Sequence, residues 1–548
     1  MTSQSQNNMI EQAIRAQKNR TFFAAYPENP KAYAEDANQK GLEAFQKQLN
    51  QNFNLGADES HSSWVGEEVS PYMMVGLGIR YPQFATEELV NRAKAAWPSW
   101  KATHADQRGE ILTDALNRVS NRFFEIAYAT MHTTGQSFVM SFQASGPHAN
   151  DRALEVISLA AEELNRFDHN VEWVKPMGKF DLKIQKTFQP IPRGISLVIG
   201  CSTFPTWNTV PGLFASLMGG NPVIVKPHPK SILPIAIVIE EIKAALKQTG
   251  LDENLVQMAP DTIDHPLTKE LAEHKDVKLI DYTGGSAFGD YIEALPGKIT
   301  FTEKAGVNSV ILDSVSDAQA VFSNIAFSTC LYSGQMCTAP QNIFVPADGI
   351  TTADGKLSFE EVVAGIAGAI KGLVENPKMG PYTLGAVQND LTVKRVDEAK
   401  TKTRVALDSI AVVHPEFPDA RMKSPVVMVV DATETGLWMH ECFGPALFVV
   451  KTQSSAESLN LAARAATELG AITCLCFSTD DNFCSQTAET MNAAFTPVSF
   501  NFTGAAFVNQ HAAFSDFHVS GGNPSGNAGF TTPEYVNRRF VWVGNRYL

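Results

Sequence analysis

The stretch CLYSGQMCTAPQNIFV places two cysteines close together, Cys330 and Cys337, the second closing a Gly-Gln-Met-Cys turn ahead of an apolar run. A thiolate on such a turn can attack a carbonyl carbon and hold the product as a thioester. A free cysteine is otherwise a small buried hydrophobe, and the spacing alone leaves open which of the two is reactive. The seven cysteines (201, 330, 337, 442, 474, 476 and 484) show no paired CxxC spacing and no zinc pattern with histidine. No metal site is therefore expected, and the thiols should be reduced and available.

Such a turn needs rigid elements to hold it. Between residues 195 and 285 the β-rich runs ISLVIG, PVIVKP, NLVQMAP and VKLIDYTGG alternate with helical stretches such as PIAIVIEEIKAALKQTG. That alternation predicts an α/β fold with a doubly wound parallel sheet and ligands at the carboxyl ends of its strands. No GxGxxG follows any of these strands, so a nucleotide would be held by other devices. After residue 300 the runs NSVILD, NIFVP, PVVMVVD and ALFVV predict a second α/β domain. Residues 9–60 read as surface helices wrapped on the body, and the apolar spacing of Leu89, Ala93, Ala96 and Trp100 predicts a core-facing helix. The alternating stretch KFDLKIQKTFQPIPR and the final RFVWVGNRYL read as exposed strands, which invite pairing with another subunit.

At 548 residues, 44% hydrophobic and 19% charged, the chain should form two or three domains. A net charge of −14 without a basic stripe argues against nucleic acid as a partner and leaves a small molecule. No basic, apolar leader and no long uncharged apolar run is present, so no membrane association is expected and the location should be cytoplasmic.

Four stretches in order, YTGGSAFG, TEKAGVNS, YSGQMC and HECFGPAL, resemble the signatures of the aldehyde dehydrogenase superfamily, with the resemblance running from about Thr86 to the C-terminus. It implies a Rossmann-type cofactor domain (1–170 and 191–301, with an N-terminal helical extension), a catalytic α/β domain (302–525) and a small β oligomerisation element (171–190 and 526–548). Homodimers or homotetramers are implied too. Cys337 takes the nucleophile's place in the motif, and Cys330 becomes structural. Glu303 stands at the general base, and Glu441, with Phe443 beside it, at the nicotinamide ribose. Lys226 matches the lysine on the adenosine ribose and Gly285 a pyrophosphate contact. The family's usual glutamate after that lysine is replaced by Pro229, followed by Lys230; losing a carboxylate and gaining a cation favours NADP over NAD. Thr203 stands where the family has an oxyanion-binding asparagine. Within the superfamily, GCSTFPTWN with KPHP and the long N-terminal extension is most similar to the PaaN-type phenylacetic acid degradation proteins. That implies an aldehyde, a coenzyme A-linked semialdehyde from aromatic ring cleavage, oxidised to an acid. A coenzyme A-acylating enzyme and a retired dehydrogenase fold with a binding role are the alternatives; Glu303 argues against the first, and Cys337, Glu303 and Glu441 together against the second.

Overall fold

The computed structural model describes residues 3–56, 60–508 and 513–548. The first α/β unit is built on an all-parallel sheet of β1 (Ile195–Ile199), β2 (Val223–Lys226), β3 (Val256–Met258), β4 (Val277–Gly284) and β5 (Ile299–Lys304), ordered β3-β2-β1-β4-β5. These strands are runs of Val, Ile and Leu because both faces are covered. Val198, Val223, Val225 and Leu279 pack with Leu213 and Ile239 in one core cluster. Leu197, Ile224 and Ile280 pack with Leu89, Val90 and Ala93 in another. The strand order reverses between β1 and β4, which opens a crevice at their carboxyl ends.

The second unit carries β6 (Ser309–Leu312), β7 (Asn342–Pro346), β8 (Arg404–Leu407), β9 (Val426–Asp431), β10 (Ala446–Thr452), β11 (Cys474–Phe477) and β12 (Val498–Phe500), ordered β8-β9-β10-β7-β6-β11-β12. β8 is antiparallel to β9, and the other pairs are parallel. The α/β architecture, a doubly wound parallel sheet followed by a second α/β unit, is as expected. Helices Ser3–Asn19 and Ala37–Gln48 lie on the body, with Ala13 and Phe45 buried in its core. Among the described residues no helix is long and apolar enough to cross a membrane.

The join at 301/302 falls inside β5, because ITFTEK continues one ladder along β4, so Glu303 rides on the cofactor-side sheet. Residues 526–539 do not join the β element; they run back over the first sheet. There Arg539 and Tyr535 bond Asp281 of β4, with guanidinium contacts of 2.7 and 2.8 Å and a Tyr535 hydroxyl contact of 2.8 Å. A carboxylate in the middle of a buried strand requires such partners. Phe540–Tyr547 then pairs with Asp181–Pro192, which pairs with Asn170–Pro176, forming a three-stranded ribbon with two free edges.

Candidate active site

The turn before Cys337 is strained. Tyr332, Ser333 and Gly334 have φ of 52°, 51° and 65°, a conformation that costs about 1–3 kcal/mol at each non-glycine residue unless its surroundings impose it. The surroundings do. The Tyr332 hydroxyl donates to Thr134 O at 2.6 Å, and the Ser333 hydroxyl reaches Leu384 O and Lys423 O at 3.0 and 2.8 Å. Gly334 is required for a second reason: a Cβ there would lie 2.3 Å from Gly444 O, so this turn is pressed against the HECFGP turn. Asn308 completes the clamp. Its amide donates to Cys337 O at 2.8 Å and Ala339 O at 3.1 Å, while its carbonyl accepts from Ile472 N and Thr473 N at 3.0 and 3.2 Å. Cys330 ends helix Ala318–Cys330 fully buried, and burial pushes its thiol up.

At Cys337 the sulfur, a Glu303 carboxylate oxygen and a His518 ring nitrogen all lie within 4.8 Å of one another. Glu303 is buried; its Oε2 accepts from Asn208 Nδ2 at 2.9 Å and its Oε1 lies 3.4 Å from His518 Nε2. Burial, reinforced by the Glu303 carboxylate, pushes the Cys337 thiol well above its ordinary range, while its own backbone N–H opposes the shift. Two cavities meet here. One, of about 410 Å³, has walls dominated by apolar side chains such as Met140, Trp207, Phe327 and Phe507. The other, of about 560 Å³, lies at the carboxyl ends of β1 and β4. Phe204, Asn208 and Cys337 line both.

The second cavity suits a dinucleotide. Lys226, Gly285, Glu441 and Phe443 line it together. Gly285 caps helix Ser286–Glu293, and the space where its Cβ would stand is open to 4 Å; a helix N-terminus bared in this way accepts a pyrophosphate. Burial raises the Glu441 carboxyl to about 7, against the opposing pull of Arg395 and the Gly306 N–H. Lys226 is ion-paired with the buried Asp261 at 2.6 Å, and burial lowers its pKa. Thr203 lines the nucleotide side, its carbonyl accepting from Gln136 Nε2 at 2.8 Å. Pro229 and Lys230 are not among the described residues that line this cavity. Lys230 donates its backbone N–H to His228 Nδ1 at 3.2 Å, and His228 itself faces the cleft.

The structure thus brings Cys337, Glu303, Lys226, Gly285, Glu441, Phe443 and Thr203 to one crevice and sets Pro229 and Lys230 aside. Sequence reasoning missed Asn208, Asn308 and His518. A lone amide in the first turn of the uncharged helix Pro205–Met218 is a signal for Asn208. His518 lies outside any regular element and gives none.

The family profile described as "Aldehyde dehydrogenase family" matches residues 81–539. The chain belongs to the aldehyde dehydrogenase family. A crystal structure of an NAD-dependent aldehyde dehydrogenase from Burkholderia multivorans is 44% identical and superposes with a TM-score of 0.97 over 100% of this chain and 99% of that one. The alpha-ketoglutaric semialdehyde dehydrogenase of Bacillus subtilis is 24% identical across 70% of this chain and 76% of its own length. An aldehyde dehydrogenase (NAD(P)+) of Saccharomyces cerevisiae is 24% identical across 69% and 72%. The enzyme is an aldehyde dehydrogenase that works with a nicotinamide dinucleotide.

Proposed function

We propose that the enzyme oxidises an aldehyde to a carboxylic acid through a thioester on Cys337, with Glu303 as the base that activates water. The observation that carries this reading is the approach of Cys337 Sγ and the Glu303 carboxylate to within 4.8 Å where the two cavities meet. Sγ bonds to the aldehyde carbon, and the oxyanion that forms needs donors. The Cys337 backbone N–H and the Asn208 amide are at hand, and we assign to Asn208 the part that sequence gave to Thr203. A nicotinamide dinucleotide held by Lys226, Gly285, Glu441 and Phe443 would supply the hydride acceptor. Water then attacks the thioester carbon and Glu303 takes its proton; the C–S bond breaks, the sulfur recovers a proton, and the acid departs.

Glu303, buried beside the sulfur, supports release to water over transfer to coenzyme A. For the cofactor the reading is NAD, in place of the NADP expected from Pro229 and Lys230. Lys226 is already paired with Asp261 and feels the field of Glu67, so its charge is largely balanced before a 2′-phosphate arrives, and Lys230 does not line the cavity. The NAD dependence of the Burkholderia multivorans relative points the same way. For the substrate we retain a semialdehyde from aromatic ring opening, carried on coenzyme A, as in the PaaN-type proteins. The GCSTFPTWN and KPHP stretches and the largely apolar wall of the smaller cavity support it. The two free ribbon edges support a homo-oligomer, and seven free cysteines support a reducing, cytoplasmic setting.

The test is a screen of free and thioester-linked semialdehydes with NAD and NADP, following reduced-ring absorbance and product mass. A coenzyme A-linked semialdehyde turned over to its free acid with NAD is the expected result. An acyl-coenzyme A product formed from free coenzyme A, or a preference for NADP, contradicts the corresponding part.

A further inference from the structure

The proposed chemistry has an electrostatic difficulty, and His518 resolves it. A Cys337 thiolate would stand within 4.8 Å of a buried carboxylate, and two anions that close in a low-dielectric site are mutually unfavourable. The third group in the same cluster is the His518 ring, itself buried. The ring is held with care. Trp207 meets it edge-on at 4.6 Å and Phe530 stacks at 6.0 Å. The next residue, Val519, has φ of 59°, a left-handed conformation that a β-branched residue adopts only under constraint. The N-terminal extension anchors the same loop: Arg20 lies 3.9 Å over Phe517, and Phe23 packs on Phe514 at 5.1 Å. Of the other charged groups nearby, Arg152 lies over the Trp207 ring at 4.8 Å and is bonded to Glu155, so that pair is neutral. Among the described residues, Asp516 lies on the His518 loop, Cys201 is bonded to Asn208 Oδ1 at 3.5 Å, and His148, paired with Glu28 at 2.8 Å, lines the same cavity as His518.

Resting on the reading of Cys337 as nucleophile, we infer that protonated His518 is the counter-ion that lets the Cys337 thiolate and the Glu303 carboxylate coexist before cofactor binds. The sulfur keeps the electron pair, its proton passes to the imidazole, and the ring Nε2–H donates to Glu303 Oε1. His518 is a positioning residue: it acts through the charge of its two neighbours.

The experiment is alkylation of the cofactor-free enzyme by iodoacetamide as a function of pH, with the modified residue mapped by mass spectrometry. In the wild type, the charge on His518 should outweigh the upward push of burial and of Glu303, so that Cys337 is alkylated with an inflexion below the ordinary thiol value of about 8.5. In His518→Gln, which keeps a hydrogen-bond donor but cannot carry the charge, alkylation near neutrality should fall at least tenfold and the inflexion should move above that value. Superimposable profiles overturn the inference. Should His518→Gln fail to fold, the wild-type profile decides: an inflexion at or above the ordinary value overturns it. Loss of turnover in Cys337→Ala alongside superimposable profiles would discard the counter-ion while leaving the thioester mechanism intact. Aldehyde oxidation by Cys337→Ala would discard the mechanism itself.

Discussion

Asn208 donates its side-chain amide to Glu303 Oε2 across 2.9 Å, which ties the first turn of a helix to the edge strand that carries the base. Asn208 lines both cavities, whereas Thr203 lines the nucleotide side alone. Asn208→Ala should therefore lower turnover at least tenfold, on the order of 1.4 kcal/mol in the barrier, with nucleotide affinity little changed. Thr203→Val should stay close to wild type. Steady-state kinetics with one aldehyde checks both, and the reverse pattern would return the oxyanion role to Thr203.

In the proposed mechanism Glu303 acts after hydride has left. Glu303→Gln keeps the size and one acceptor oxygen, enough for the Asn208 amide, but removes the base, so it should give a burst of reduced cofactor equivalent to one turnover and then stall. Rapid mixing followed by intact-protein mass spectrometry should find an acyl group on Cys337. A burst lost in proportion to the steady state would place Glu303 in the hydride step.

The raised Glu441 carboxyl makes a prediction with a definite sign. Its pKa goes from 4.5 to about 7 in the folded protein, so its contribution to stability is fully present below the lower value and is lost as pH rises through the upper one. Cofactor-free wild type should thus lose more melting temperature than Glu441→Gln between about pH 5 and about pH 8. Nucleotide affinity should rise over the same interval as the carboxylate forms, and Glu441→Gln should flatten that rise. Calorimetry at a series of pH values measures both, and equal slopes in the two proteins would contradict the assignment.

Arg539 and Asp281 form a buried ion pair at 2.7 Å, with Tyr535 as a third member. Breaking such a pair from one side leaves a buried charge uncompensated, at a cost of about 3–5 kcal/mol. Arg539→Met should lower the denaturant midpoint accordingly, and the double variant with Asp281→Leu should recover part of the loss. No recovery would mean that Arg539 contributes through packing on Phe301, which its guanidinium covers at 4.0 Å.

Much of this was legible in the sequence, and the illegible parts share a cause. The Val- and Ile-rich runs marked the strands because a sheet covered on both faces admits little else. Cys337, Glu303 and Glu441 could be singled out because each sits in a short stretch that resembles a family signature, although the turn before Cys337 is held from far away in the chain by Thr134, Leu384 and Lys423. His518 could not, since its place depends on Arg20 and Phe23, far away in the chain. Nothing in ITFTEK marks a join at residue 302, and the run is one strand, Ile299–Lys304. Composition says which cation follows Pro229 but not which way it faces.

The central claim is that Cys337 carries the substrate as a thioester. The most direct measurement compares Cys337→Ala and Cys330→Ala for aldehyde-dependent reduction of the nicotinamide cofactor, with nucleotide binding followed in parallel. Cys337→Ala should bind nucleotide and reduce none, while Cys330→Ala should turn over near the wild-type rate. Retention of even a tenth of wild-type turnover by Cys337→Ala would contradict the account.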